Sequence, residues 1–95
     1  MFVVSLTYVA ELNEIDQHLD AHVDYLNRCY DAGIFLASGR KVPRTGGVIL
    51  AQAENRAALD AVLQQDPFFV HRLAAYDVTE FEPTRTSAAL DFLRS

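Results

Sequence analysis

The start of the chain contains a segment that is apolar on both of its alternating faces. Residues 2–10 read FVVSLTYVA, and they are rich in the β-branched and aromatic residues typical of strands. Phe2 and Val4 fall on one face, whereas Val3 and Val9 fall on the other. A strand of this kind is normally covered on both sides. In a chain of 95 residues one layer of helices covers a single side of the sheet, so we expect a second subunit to cover the other.

Helix and strand patterns alternate through the rest of the chain. Residues 13–32 predict one amphipathic helix, with Asn13 as N-cap and Gly33 just beyond its C-terminus. A rotation of about 100° per residue gives this helix one apolar stripe, which contains Ile15, Leu19, Val23, Leu26 and Tyr30. Further strands are predicted at 34–42, 48–53 and 75–82, a second helix from Asn55 to about Gln65, a helical turn at 68–73, and a short helix or loose end at 86–94.

This order, β-α-β-β-α-β, is that of an α+β, ferredoxin-like fold. Such a fold places both helices on one face of a four-stranded antiparallel sheet and leaves the other face open. The segment PRTGG predicts a hairpin between the second and third strands, and Pro67 should end the second helix. We expect a single domain over residues 1–95, with a core of about 1–83 and a tail of 84–95.

Charge and cysteine content limit the classes of partner. The net charge is -5, so the phosphate backbone of a nucleic acid should be repelled. Arg40, Lys41 and Arg44 form the one basic cluster, which could hold a small anion. Cys29 is the single cysteine and cannot form an internal disulfide. There is no signal-peptide pattern and no apolar run near the roughly 20 residues of a membrane span, so we expect a soluble cytoplasmic protein without a membrane partner.

His22 is the polar residue that most needs an explanation. It falls about 40° from the centre of the apolar stripe, so it should point towards the sheet. A buried imidazole needs a partner for at least one ring nitrogen. That partner is either a backbone carbonyl, as in an ordinary core histidine, or a residue of a functional site.

Asp66 supplies a candidate partner, because an extension of the second helix places it on the apolar side of that helix. As part of an Asp-Pro turn it could instead serve only to end the helix. A carboxylate on one imidazole nitrogen would fix the tautomer and leave the other nitrogen free as a general base or acid. Sequence spacing alone does not show that the two residues meet.

Three other polar residues are weaker candidates. His18 and His22 stand four residues apart, as in a zinc motif, but Leu19 replaces the glutamate of HExxH. We therefore predict no metal site, with His18 at the surface and His71 exposed on the helical turn. Ser38 could donate a hydrogen bond to a substrate oxygen or be a plain strand-end serine. Neither a GxSxG elbow nor a phosphate-binding glycine loop is present, and no organic cofactor is implied.

Three segments together resemble the YciI-like family, also described as the YCII-related domain. They are AHVDYL around His22, GIFLASG at 33–39, and Asp-Pro-Phe at 66–68, in matching order and spacing. The segments VPRTGGVIL at 42–50 and TEFEPTRT at 79–86 strengthen the resemblance. The resemblance covers nearly the whole chain, roughly residues 1–83.

The resemblance implies a homodimer that pairs through the open sheet face as a dimeric α+β barrel. It also implies that His22 and Asp66 are the family's proposed catalytic dyad and that Ser38 lies near the pocket. The chain departs from the family pattern at Leu19, often arginine in the family, and at Arg40, often proline. A third departure is Val70-His71-Arg72, where many members have small residues. These differences affect the pocket lining, and so the substrate class, more than the fold.

Two main hypotheses follow. In the first, His22 is a general acid or base oriented by Asp66, while Ser38, Arg40 and Arg44 hold a small polar or anionic substrate for elimination, isomerisation or hydrolysis. In the second, the protein is a ligand-binding or structural dimer in which the His-Asp pair is a buried anchor. A third, a cofactor-independent oxygenase, rests on analogy of architecture alone. An enzyme should leave one imidazole nitrogen open to a pocket, whereas an anchor should bury both.

Overall fold

A computed structural model describes residues 1–95 and shows one antiparallel sheet. Its strands are β1 (Phe2–Tyr8), β2 (Phe35–Arg40), β3 (Gly46–Ala51) and β4 (Ala74–Glu80). They lie in the order β2-β3-β1-β4, and each neighbouring pair is antiparallel. The predicted α+β, ferredoxin-like arrangement is therefore confirmed. The sheet of one chain is open and does not close into a barrel.

Five helical segments complete the chain. They are α1 (Leu12–Gln17), α2 (Leu19–Asp31), α3 (Arg56–Leu63), α4 (Pro67–Val70) and a terminal 3-10 helix (Ala88–Leu93). None of them combines the length and the apolar character needed to cross a membrane.

The prediction of one continuous helix over residues 13–32 is wrong at His18. The backbone of this residue has φ -108° and ψ 4°, which ends α1 and separates it from α2. Most of the predicted apolar stripe still faces the core, because Ile15 is buried and Leu19, Leu26 and Tyr30 pack against buried residues. In α2 the buried residues are Tyr25 and Cys29, whereas Val23, which the stripe assigned to the core, is 43% exposed.

The ends of the helices explain how Asp66 is positioned. Gly33 follows α2 with φ +75°, and Asn55 caps α3 by accepting a hydrogen bond from the Ala58 amide, both as predicted. Pro67 lies beyond the end of α3 and also begins α4, because its fixed φ suits the first helical position. Asp66 is the N-cap of α4, and its carboxylate therefore points back over the start of that short helix.

The two faces of β1 have different surroundings. Phe2, Val4 and Leu6 lie under the helices and are at most 2% exposed. On the other face Val3 is half-buried, and Val48 of the neighbouring strand is 40% exposed. Within one chain this second face is uncovered, and its burial by another subunit stays a prediction.

The close approach of β3 to β1 depends on glycine. A Cβ atom on Gly46 would lie 1.7 Å from the carbonyl oxygen of Leu6, so no other residue fits without moving a strand. Gly47 pairs with Leu6 on the helix-covered face and leaves that part of the sheet without a side chain. Space therefore remains between this end of the sheet and α2.

Candidate active site

The structure brings His22 and Asp66 together. His22 lies in α2, and its Nδ1 atom is 2.8 Å from Oδ1 of Asp66. The histidine side chain is 12% exposed and the aspartate side chain is 0% exposed. The pair therefore sits at the boundary between the core and a more open region.

The Asp66 carboxylate has a hydrogen-bond partner at each of its oxygens. Oδ1 also accepts from the backbone amide of Phe68 at 3.0 Å, and Oδ2 accepts from the hydroxyl of Tyr76 at 2.5 Å. A buried carboxylate is tolerated when donors of this kind surround it. Because an ionised carboxylate only accepts hydrogen bonds, the ring nitrogen that faces it must carry the proton, which places the proton of His22 on Nδ1. Nε2 then carries a free lone pair.

Two tyrosines, Tyr25 buried and Tyr76 half-buried, border this cluster and remain protonated donors. Burial, and next the Asp66 carboxylate, raise the pKa of the Tyr76 hydroxyl far above its usual range. Burial also raises the pKa of Tyr25, with Cys29 and Asp66 adding to the effect, and the Tyr25 hydroxyl donates to the Val62 carbonyl at 2.8 Å. Burial likewise raises the pKa of the Cys29 thiol, which makes it a poor nucleophile.

The plane of the imidazole is held by stacking as well as by hydrogen bonding. The ring of Phe68 lies parallel to that of His22, with an angle of 6° between planes and 4.0 Å between centroids. Phe68 is 1% exposed, so the supporting ring is itself fixed by the core. An imidazole held on one face and at one nitrogen has little freedom to rotate.

His22 also lines a cavity of about 240 Å³ between α2 and the sheet. Nε2 of His22 has no hydrogen-bond partner in the chain, and this atom is not buried. It is therefore accessible to solvent, and the space next to His22 is this cavity. This is the open nitrogen expected of an acid-base residue.

The remaining candidates line the same cavity. Ser38, Arg40 and Arg44 all border it, whereas Asp66 lies behind His22 and does not. The Ser38 hydroxyl is 2.5 Å from the hydroxyl of Tyr30. Four of the five residues selected from the sequence therefore border one cavity, and the fifth, Asp66, contacts it through His22.

The two cavity arginines differ in their partners. Arg44 donates to the Asp16 carboxylate at 2.5 Å, and this hydrogen bond raises the pKa of Arg44. Arg40 forms no ion pair within the chain. Asp16, on α1, had no sequence feature that marked it as part of the site.

Sequence reasoning also missed Tyr76. This residue pairs with Leu6 on the helix-covered face of the sheet, where alternation predicts a core side chain. A buried tyrosine hydroxyl needs a partner, and a buried aspartate needs more than one donor. These two requirements together are the signal that could have connected Tyr76 with Asp66.

The other two histidines lie outside the cavity. The His18 and His71 rings contact each other, with centroids 4.1 Å apart and an angle of 31° between planes. His71 is exposed, as expected, while His18 is half-buried against it rather than free at the surface. No group of three or more His, Cys, Asp or Glu side chains is arranged to hold a metal ion.

Comparisons with known proteins agree with this architecture. The family model of the YCII-related domain matches residues 1–82. The fold is similar to 5-chloro-2-hydroxyhydroquinone dehydrochlorinase from Burkholderia phenoliruptrix AC1100, solved in complex with 2,5-dihydroxybenzoquinone. The TM-score is 0.74 at 18% sequence identity, over 85% of this chain and 92% of that one, so the likeness concerns the fold. No curated protein matches the sequence.

Proposed function

The chain belongs to the YCII-related domain family, and on that premise we propose that it is an enzyme that moves protons with a His22-Asp66 dyad. The observation that carries the proposal is the asymmetry of the imidazole. Nδ1 meets a buried carboxylate at 2.8 Å, while Nε2 has no partner and His22 lines a cavity. A purely structural anchor needs neither the free nitrogen nor the space in front of it.

In the proposed step, Nε2 of His22 takes a proton from the substrate. The imidazolium that forms is stabilised by the Asp66 carboxylate on Nδ1. The electron pair of the broken bond forms a double bond as a leaving group departs, or shifts to a neighbouring atom in an isomerisation. The proton then returns from Nε2 to product or solvent, which restores the starting state.

The substrate is expected to be small and polar or anionic. An engineered cavity of about 150 Å³ holds benzene in another protein, so a cavity of about 240 Å³ admits a single ring with a few substituents. Ser38, Arg40 and Arg44 would hold its oxygens. Of the three reaction classes, we favour elimination, because the structural neighbour is described as a dehydrochlorinase of a hydroxylated ring.

Proton exchange offers a test that works with a panel of candidate compounds in place of one identified substrate. Small hydroxylated aromatic compounds, carboxylates and their halogenated forms would be incubated with the protein in D2O. Proton NMR would report loss of C–H signals or new products. We expect the His22→Gln variant to lose at least about a hundredfold in rate, the usual contribution of a positioned base.

The matched control is His71→Gln, which changes an exposed histidine outside the cavity. It should retain the wild-type rate. Backbone NMR spectra of both variants would establish that each one is folded. Equal rates for the wild-type protein and a folded His22→Gln variant would refute the acid-base role.

We further propose that the protein acts as a homodimer in the cytoplasm. The uncovered face of the sheet carries apolar residues such as Val3, Leu50 and Val48, and the single cysteine is free and buried. Light scattering should give twice the mass of the chain at micromolar concentration. Val48→Asp should shift the mass to the monomer, whereas Val42→Asp, at a 95% exposed position, should not. A monomeric wild-type protein would contradict the proposal.

A further inference from the structure

We propose that the cavity selects small carboxylates with an apolar body, and that Arg40 rather than Arg44 binds the carboxylate. The inference rests on the proposed function, for which it names the substrate class. It is carried by the character of the cavity walls and by the different pairing of the two arginines.

The walls of the cavity are largely apolar on both sides. Leu19, Val23 and Leu26 of α2 form the helical side, and Leu6 and Ile49 lie on the sheet side. A ligand that is polar throughout would lose hydrogen bonds to water against these walls without replacing them. The body of a well-matched ligand is therefore a ring or a short hydrocarbon chain.

The charged groups of the lining leave one free cation. Asp16, Arg40 and Arg44 are the aspartate and the two arginines that border the cavity. Asp16 and Arg44 pair with each other, and the Arg44 guanidinium also lies 6.0 Å from the centre of the Tyr8 ring. Arg40 has no acidic partner.

The chemistry of Arg40 favours a carboxylate over other anions. A guanidinium presents parallel N–H donors that match the two oxygens of a carboxylate. A phosphate dianion would call for a second free cation, and Arg44 is already neutralised by Asp16. Ser38 lies two residues from Arg40 on the same strand, and its hydroxyl can donate to the ligand while it accepts from Tyr30.

Arg40 and His22 reach the cavity from opposite sides. Arg40 belongs to β2 and His22 belongs to α2. A carboxylate bound at Arg40 would place the ligand body along the apolar wall, with the remaining part near Nε2. The arginine would thus orient the substrate without taking part in the proton transfer.

Benzoate is a suitable probe, because it has one ring, one carboxylate and no leaving group. Titration would follow backbone amide shifts by NMR at low salt, with benzyl alcohol and inorganic phosphate as comparisons. We expect benzoate to shift the amides of α2 and β2 and to bind at least about tenfold more tightly than benzyl alcohol, as a charge-assisted hydrogen bond predicts. Phosphate should bind more weakly than benzoate. Equal affinity for benzoate and benzyl alcohol, tighter phosphate binding, or no shift in the cavity would overturn the proposal.

Three variants, each of which removes one positive charge, test which arginine binds the carboxylate. Arg40→Gln should weaken benzoate binding by about tenfold, and Arg44→Gln by less, because Asp16 already occupies that side chain. Arg85→Gln is the control, since Arg85 is also unpaired but lies outside the cavity. It should bind as the wild-type protein does. An Arg40→Gln variant with unchanged affinity, or a larger loss in Arg44→Gln, would show that the assignment is wrong.

This test separates the inference from the proposed function. Benzoate binding needs no turnover, so a folded His22→Gln variant should still bind benzoate. Binding that depends on Arg40 in a protein without proton-transfer activity would leave the inference standing and remove the enzymatic proposal. Proton-transfer activity on neutral compounds that is unchanged in Arg40→Gln would support the enzymatic proposal and remove the inference.

Discussion

The two sides of the His22 ring differ in how their polar groups are satisfied. Behind the ring, the Asp66 carboxylate accepts from His22, the Phe68 amide and the Tyr76 hydroxyl, and it is wholly buried. In front of the ring, Nε2 has no partner and Arg40 forms no ion pair. Burial of unpartnered polar groups is costly, so the unsatisfied groups are kept where water or a ligand reaches them.

We call the groups behind the ring the rear cluster; it consists of His22 Nδ1, Asp66, the Phe68 amide and Tyr76. The front cluster, on the cavity side, consists of His22 Nε2, Ser38 and Arg40. The groups of the rear cluster are largely buried and hydrogen-bonded to one another, so they should contribute to the stability of the fold. Groups of the front cluster have few or no internal partners, so their contribution should appear only when a ligand is bound. Measurements of unfolding distinguish the two clusters in the protein alone, with no substrate added.

The largest effect on stability is expected from Asp66→Ala. The substitution leaves a buried tyrosine hydroxyl, a backbone amide and an imidazole nitrogen without their acceptor. Each donor left without a partner inside a protein typically costs about 1–3 kcal/mol, so the loss of an acceptor for three donors should lower the free energy of unfolding by at least about 3 kcal/mol in urea at neutral pH.

The control for this prediction is Asp60→Ala. It removes an exposed carboxylate that pairs with Arg56 one helical turn away, an interaction worth about 0.3–0.5 kcal/mol. Similar losses for the two variants would mean that the rear cluster contributes no more than a surface pair does.

An effect that is smaller for each side chain should appear at alkaline pH through Tyr25 and Tyr76. Both pKa values are raised in the folded protein, first by burial, so the contribution to stability is complete below the unfolded value of about 10 and is lost as pH rises above it. Each tyrosine should lower the free energy of unfolding by up to about 1.4 kcal/mol per pH unit there.

Urea unfolding between pH 9 and 11.5 would measure this slope. Tyr76→Phe and Tyr25→Phe should each remove about half of the contribution from the two tyrosines, and the double variant should remove all of it. A slope that does not change in Tyr76→Phe would mean that its hydroxyl is not held as a buried donor to Asp66.

The sequence predicted some parts of the rear cluster and not others, for physical reasons. His22 and Asp66 were identified because each is a polar residue at an inward position, and the family resemblance pairs them. Tyr76 was missed because alternation in a strand predicts only that its side chain is buried, and says nothing about its hydroxyl. The break at His18 has no local signal, because neither glycine nor proline stands there.

The front cluster was predicted as a list of residues but not as an electrostatic arrangement. Arg40 and Arg44 are close in sequence and were treated as equivalent. Their difference arises from Asp16 on α1, a residue whose distance from Arg44 only the tertiary fold determines. Residue type and spacing predict which charges exist, whereas the pairing of charges depends on how separate elements pack.

The smallest effect on stability is expected from the front cluster itself, in Ser38→Ala and Arg40→Gln. Both side chains are exposed, and neither contacts the rear cluster by a hydrogen bond or an ion pair. Surface changes of this kind usually alter stability by no more than about 0.5 kcal/mol. The same urea unfolding assay as for Asp66→Ala would measure them at neutral pH. Arg40→Gln is the stricter case, because it should weaken carboxylate binding while leaving unfolding almost unchanged. A loss above about 1 kcal/mol in either variant would place these residues among the groups that hold the fold together, and the distinction between the two sides of His22 would no longer stand.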